Sequence, residues 1–173
     1  MQPTARFRDA LNLAALLHAH QFRKRSPGSG SPPVPYIAHL LAVTALAIEH
    51  GADEDEAIAA LLHDAVEDQG GDATRQRIRL LFGERVAEIV EGCTDADVLP
   101  KPPWEERKRH HLAAMAEAGE SVLLVALADK LHNVRSILAD YLRDGEDTWA
   151  RFTGGRDGTL WYYRAMTDTL ARR

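Results

Sequence analysis

The sequence predicts an all-α, single-domain protein, and three observations carry the prediction. Apolar residues recur at helical spacing, as in Leu13, Leu16 and Leu17. Glycine and proline gather between the periodic stretches, where they act as breakers. No shift in composition is strong enough to split the 173 residues, a length that suffices for one core.

The elements follow in order. A first helix is expected over about 6–24. Residues 26–33 are Ser, Pro and Gly alone and read as a loop. A second helix covers about 37–50 and stops at Gly51. Asp53 caps a third, which carries His63, Asp64, Glu67 and Asp68 in one unbroken run and stops at Gly70-Gly71. Two shorter helices are expected at about 74–81 and 84–91, then a proline-rich loop at 100–103 and a long helix at about 104–118. Val122 to Val125 would suit a strand, but the run into Ala128-Asp129-Lys130-Leu131-His132-Asn133 favours one helix over about 122–141. Its apolar start places it at the centre of the bundle. Gly154-Gly155 breaks the chain before a last helix at about 157–170.

Composition narrows the function classes. Hydrophobic residues make up 45% and charged residues 27%, ordinary values for a soluble globular protein. A net charge of −5 argues against non-specific nucleic-acid binding, which needs a basic face. A small polyanion remains allowed, because local charge decides that. The single Cys93 cannot form an internal disulfide; it reads as a small core residue and fits a reducing cytoplasm. No apolar run approaches membrane-spanning length, and no signal-peptide core is present at the start.

The chemistry concentrates in Ala60-Leu61-Leu62-His63-Asp64-Ala65-Val66-Glu67-Asp68. Residues three and four apart share a helix face, so Glu67 should lie over His63 and Asp64, and Asp68 over Asp64. Ionisable groups packed against an apolar run are costly unless paired or bound to a cation. A helix end with surface acids and one satisfied histidine is the plainer alternative. Two further segments weigh against it. Pro35-Tyr36-Ile37-Ala38-His39 opens an apolar helix with a histidine in its first turn, and Asp129 sits inside another between Leu127 and Leu131. His39, His63, Asp64 and Asp129 would supply two imidazoles and two carboxylates. That mixed set suits Mn, Fe(II) or Zn better than Mg or Ca.

The order His39, then His63-Asp64, then Asp129 resembles the HD phosphohydrolase superfamily. Together with His18-Ala19-His20-Gln21-Phe22-Arg23-Lys24, Pro35-Tyr36-Ile37, the Glu67-Asp68 pair, Phe82-Gly83 and Leu127-Ala128-Asp129-Lys130-Leu131-His132-Asn133, the chain is similar to the hydrolase domain of the RelA/SpoT alarmone enzymes. The compact members of that group are the small alarmone hydrolases. The resemblance runs from about residue 5 to 165 and implies a single HD-type helical bundle over 1–173, without the synthetase domain of the long enzymes.

The resemblance also implies roles. His39, His63, Asp64 and Asp129 would bind Mn2+ or another divalent transition metal. Glu67 and Asp68 would position water and pass protons. The substrate would be a guanosine or adenosine polyphosphate that loses its 3′-pyrophosphate. Arg23 and Lys24 look like a pair that contacts the nucleotide, Lys101 like a lysine near the pyrophosphate, and Arg156 like an arginine near the substrate. Asn133, one turn after Asp129, would lie beside the metal. Arg25, Arg107, Lys108 and Arg109 read as solvated surface charges, and His18, His20, His110, His111 and His132 as structural or exposed.

The chain departs from the pattern in three places. Leu40 stands where many relatives have proline, and Ala126 where many have lysine. An aromatic expected near the base gives way to Leu160, followed by Trp161, Tyr162 and Tyr163. Base preference therefore stays open. Other readings are an HD phosphatase on another nucleotide, such as the 2′-phosphate of NADPH, and a non-catalytic alarmone-binding protein.

Overall fold

The computed structural model describes residues 1–24, 32–95, 100 and 102–173. Their architecture is helical throughout: α1 (Ala5–Leu17), α2 (Ile37–Glu49), α3 (Glu54–Leu62), α4 (Ala65–Asp68), α5 (Gly71–Phe82), α6 (Glu84–Cys93), α7 (Trp104–Glu117), α8 (Glu120–Asp144), a 3-10 helix (Gly145–Arg151) and α9 (Gly155–Leu170). Lys101, Arg25 and most of the expected 26–33 loop lie outside the described residues. Among the described residues no helix is long and apolar enough to cross a membrane.

Local chemistry explains the ends. The Thr4 hydroxyl accepts the Arg6 amide at the start of α1. Asp53 and Glu56 form a reciprocal capping box at α3: the Glu56 amide donates to Asp53 and the Asp53 amide to Glu56. α1 ends sooner than its sequence suggests. From Gln21 to Lys24 the chain is not helical, and Phe22 pairs in an antiparallel bridge with Pro35. The amides of Arg23 and Tyr36 donate to the carbonyls of Val34 and Gln21, both at 2.9 Å. That bridge ties Arg23 to the start of α2.

The core centres on α3, not on α8. Ala57 through Leu62 are fully buried, with α1, α2, α6 and α8 packed around them. Three alanines in that run let the neighbouring helices approach. α8 is half-exposed: Leu127, Leu131, Val134, Leu138 and Leu142 face outward, while Asp129, Lys130, His132 and Asn133 line a cavity. Its apolar start does reach the core through Val125, Ala126 and Ala128, but beyond them its polar residues face the cavity and its leucines face solvent. A second apolar cluster joins α7, α8 and α9 through Met115, Ala126, Tyr162 and Met166. There the Trp104 ring lies so close to Gly154 that a Cβ would come within 2.7 Å of it, so only glycine fits.

The third helix also differs from expectation. It is not continuous through Asp68 but breaks at His63-Asp64, so Glu67 and Asp68 sit on the separate short α4. His63 Nδ1 bonds to the Ala60 carbonyl at 2.8 Å, the acceptor that the Asp64 amide would take in an unbroken helix.

Candidate active site

α2, the α3–α4 junction and α8 meet at one end of a cavity of about 600 Å3. From α2 comes His39, from the junction His63 and Asp64, from α8 Asp129. His39 Nε2 lies 3.2 Å from Asp129 Oδ1 and 3.5 Å from Asp64 Oδ2. His63 Nε2 lies 3.1 Å from Asp64 Oδ2 and 3.7 Å from Asp129 Oδ1. His39, His63 and Asp129 are buried, and one ligand atom from each falls within 4.8 Å of the others, an arrangement able to hold a metal ion.

The histidine tautomers favour that use. With Nδ1 of His63 donating to the Ala60 carbonyl, Nε2 carries a lone pair; it is buried and has no hydrogen-bond partner. His39 Nδ1 lies 2.7 Å from Nδ1 of His132, which leaves His39 Nε2 toward the carboxylates. Burial, then His39 and Arg23, push the His132 imidazole down to about 4, so it is neutral and can accept the His39 proton. An orphaned imidazole nitrogen beside two carboxylates fits a divalent transition metal. Burial alone would lower the His63 pKa, but Asp64 and Asp129 outweigh it and hold the metal-free imidazole well above its usual value, so a metal ion at Nε2 would take the place of that proton.

Neighbours fix the carboxylates. The Tyr36 hydroxyl donates to Asp64 Oδ2 at 2.6 Å; burial and the Asp64 charge keep that phenol protonated. Lys130 Nζ donates to Asp129 Oδ2 at 2.6 Å, and Asn133 Nδ2 to Asp129 Oδ1 at 2.5 Å. Arg23 Nη2 in turn donates to Asn133 Oδ1 at 2.7 Å and lies over the Tyr36 ring. Glu67 and Asp68 line the same cavity. The Gln21 amide donates to Asp68 Oδ2 at 2.7 Å. Burial first, and then the Asp64 charge, push the Asp68 carboxyl above the usual range.

Of the sequence-predicted residues, the structure brings His39, His63, Asp64, Asp129, Glu67, Asp68, Arg23, Lys24 and Asn133 to this cavity. Arg156 is not among its lining residues; it is exposed, 3.8 Å from Glu146. Lys101 lies outside the described residues. Sequence reasoning missed Tyr36 as a partner of Asp64, His132 as a partner of His39, and Arg151, whose buried guanidinium reaches Asp140 at 2.5 Å along the cavity wall. It also set Lys108 on the surface, whereas Lys108 lines the cavity. The helical period offered a signal: Lys108 lies one turn before Leu112 and two before Met115, both apolar.

The HD domain family matches residues 10–160. A guanosine-3′,5′-bis(diphosphate) 3′-pyrophosphohydrolase MESH1 from Xenopus tropicalis is 40% identical over 131 residues, which cover 75% of this chain and 68% of that protein. The bifunctional (p)ppGpp synthase/hydrolase SpoT of Escherichia coli K12 is 39% identical over 123 residues, covering 69% of this chain and 16% of that one. A solved structure, described as a metazoan ortholog of SpoT that hydrolyses ppGpp and plays a role in starvation responses, matches with a TM-score of 0.79 and 33% identity. The match covers 98% of this chain and 88% of that one. With the family matched along most of its length and its paired histidines and aspartates gathered at one cavity, the chain belongs to the HD domain family and is a homologue of the MESH1 proteins.

Proposed function

We propose that this protein is a metal-dependent hydrolase that removes the 3′-pyrophosphate from guanosine polyphosphate alarmones, giving GDP or GTP and pyrophosphate. The observation that carries the reading is the meeting of His39, His63, Asp64 and Asp129 beside Glu67 and Asp68 in a cavity large enough for a nucleotide. The names of the homologues support the substrate class.

His39, His63, Asp64 and Asp129 would hold the ion, with Mn2+ the choice that best suits two imidazoles and two carboxylates. A bound divalent metal polarises phosphoryl oxygen and lowers the pKa of water. The protein's own residues supply the rest. Water adds to phosphorus, the bond to the ribose 3′ oxygen breaks, and that oxygen leaves with a proton. Glu67 and Asp68 would orient the water and carry its proton. Asp68 suits proton transfer because burial and Asp64 raise its pKa above the usual carboxylate range. Tyr36, Lys130, Asn133 and His132 hold the metal-binding groups in position. Arg23 and Lys24 supply positive charge for the nucleotide.

Tyr163 and Phe152 line the cavity and offer rings for a base to stack on, and stacking suits adenine as well as guanine, so ppApp is the second nucleotide to test. A lone Cys93 accords with work in the cytoplasm. Incubating Mn-loaded protein separately with ppGpp, ppApp and NADPH, and identifying the product, tests the reading. Pyrophosphate from ppGpp is the expected result. Phosphate from NADPH alone would make the protein a phosphatase of another kind, and tight nucleotide binding with no release would make it a sensor.

A further inference from the structure

Lys108 stands apart from the groups already described. It projects from α7 into the cavity, mostly buried, with its ammonium over the Tyr162 ring at 4.9 Å and 2.7 Å from Asp95 Oδ2. Asp95 also lines the cavity, and its Oδ2 accepts from Arg107 Nη1 at 2.5 Å as well. Asp95 Oδ1 is buried with no partner. One carboxylate thus faces two cations. Arg107 is sufficient to balance Asp95, which leaves a net positive charge on this cluster of three residues.

Two neighbours sharpen the point. His111, on the next turn of α7, is buried and neutral, because burial and Lys130 push it down to about 3, so it contributes no charge. Lys108 is within electrostatic reach of Lys130, which is paired to Asp129, and of Glu67. A largely buried cation with only a shared counter-ion is costly, and burial pulls the Lys108 pKa down accordingly. A polyanion entering beside Glu67 relieves that cost.

We propose that Lys108 is a substrate-binding residue that holds the pyrophosphoryl oxygens on the Glu67 side of the cavity, with Asp95, itself held by Arg107, keeping the ammonium in place between turnovers. The proposal rests on the hydrolase reading for its ligand. The lysine suits pyrophosphate because an ammonium makes charge-assisted hydrogen bonds to phosphate oxygen, and Asp95 uses only one of its three donors.

The test is isothermal titration of Mn-loaded protein with pyrophosphate equilibrated at the same free Mn2+, alongside kinetics on ppGpp. Lys108→Gln should weaken pyrophosphate about ten-fold or more, the loss of one charged hydrogen bond. Lys108→Arg should recover most of the affinity. Arg109→Gln, whose exposed guanidinium pairs with Glu105, should bind as wild type does. Thermal unfolding of each variant reports the fold, and Lys108→Arg, which keeps the charge, carries the test if Lys108→Gln does not fold. Wild-type affinity in a folded Lys108→Gln, or a Lys108→Arg no better than Lys108→Gln, overturns the assignment. The two readings separate cleanly. If wild-type protein binds pyrophosphate through Lys108 yet releases none from ppGpp, the hydrolase reading fails and the lysine site stands. If it hydrolyses ppGpp while Lys108→Gln binds pyrophosphate normally, the reverse holds.

Discussion

His63 Nε2 lies 3.1 Å from Oδ2 of its chain neighbour Asp64 and makes no hydrogen bond to it. A buried imidazole nitrogen this close to one carboxylate, with the Asp129 carboxylate 3.7 Å away, is arranged to share a positive partner with them. Bound only by the native state, a divalent ion should stabilise the protein by about 2.7 kcal/mol at a hundred-fold excess over its Kd. Thermal unfolding with Mn2+ and then with EDTA checks this. His63→Ala should unfold at the same temperature in both. A melting temperature indifferent to metal in the wild-type protein would remove the ion from the site.

Tyr36 should tune that affinity without contributing a ligand. Its hydroxyl fixes Asp64 Oδ2 at 2.6 Å, and its ring stacks on His18. Tyr36→Phe keeps the ring and drops the hydrogen bond. The expected result is about 10- to 100-fold weaker metal binding, the usual effect of losing an outer partner of a ligand. Competition against a metal-sensitive dye measures it. Unchanged metal affinity would make the hydroxyl merely a satisfied polar group.

Glu67 and Asp68 should separate from the ligands in their effects. Glu67→Ala or Asp68→Ala is expected to keep metal-induced stabilisation while slowing turnover about 10²-fold or more. The pairing of Asp68 with the Gln21 amide suggests a graded series, so Gln21→Ala should slow turnover less than Asp68→Ala does. Single-turnover measurement on ppGpp, with metal content checked in parallel, decides this. Near wild-type turnover in Glu67→Ala on every nucleotide tried would dismiss its proposed role.

Much of this arrangement was legible in the chain, and each part that was not has its own physical reason. Asp53 and Glu56 announce the start of α3, and His39, His63, Asp64 and Asp129 stand out because they interrupt apolar runs. The break after Leu62 was hidden, since it accompanies a side-chain bond from His63 to the Ala60 carbonyl that competes with the helix locally. His132 looked structural because its partner is 93 positions away and only the packing of α2 on α8 joins them. Lys108 looked exposed within the run Arg107-Lys108-Arg109-His110, where only its helical spacing to Leu112 and Met115 marks the inward charge. The central place of α3 was masked by its alanines, which add little hydrophobicity but allow close packing.

His111 should govern part of the acid sensitivity of the fold. It is buried beside Tyr162, its Nε2 has no partner, and burial followed by repulsion from Lys130 lowers it to about 3. Asp95 and Asp129 pull the other way, and Lys108 adds to the lowering. A histidine held neutral in the folded state binds its proton first in the unfolded state, near 6.5. Its contribution is therefore complete above about pH 6.5 and falls as pH drops from there toward 3, by at most about 1.4 kcal/mol per unit. Urea unfolding between pH 7.5 and 4.5, with EDTA present so that metal loss does not contribute, should show His111→Gln losing less stability on acidification than wild type. Parallel curves for the two proteins would mean that the imidazole is already protonated in the folded state, or that it reaches solvent.

Arg23 and Arg156 offer a contrast in substrate binding. Arg23 is tied to Asn133 and lies over Tyr36 at the cavity, while Arg156 is exposed beside Glu146 and off the cavity lining. If nucleotide phosphates occupy this cavity, Arg23→Ala should raise KM on ppGpp by about ten-fold, the scale of one charge-assisted contact. Because Arg23 also orients Asn133 against Asp129, kcat should fall as well, though by less. Arg156→Ala should leave both parameters within about two-fold, as expected of a screened surface charge. Steady-state kinetics at two ionic strengths distinguishes the cases: a KM effect in Arg156→Ala that fades at high salt would show steering from outside the cavity. A large, salt-independent effect would mean that α9 closes on the nucleotide and brings Arg156 to the phosphates.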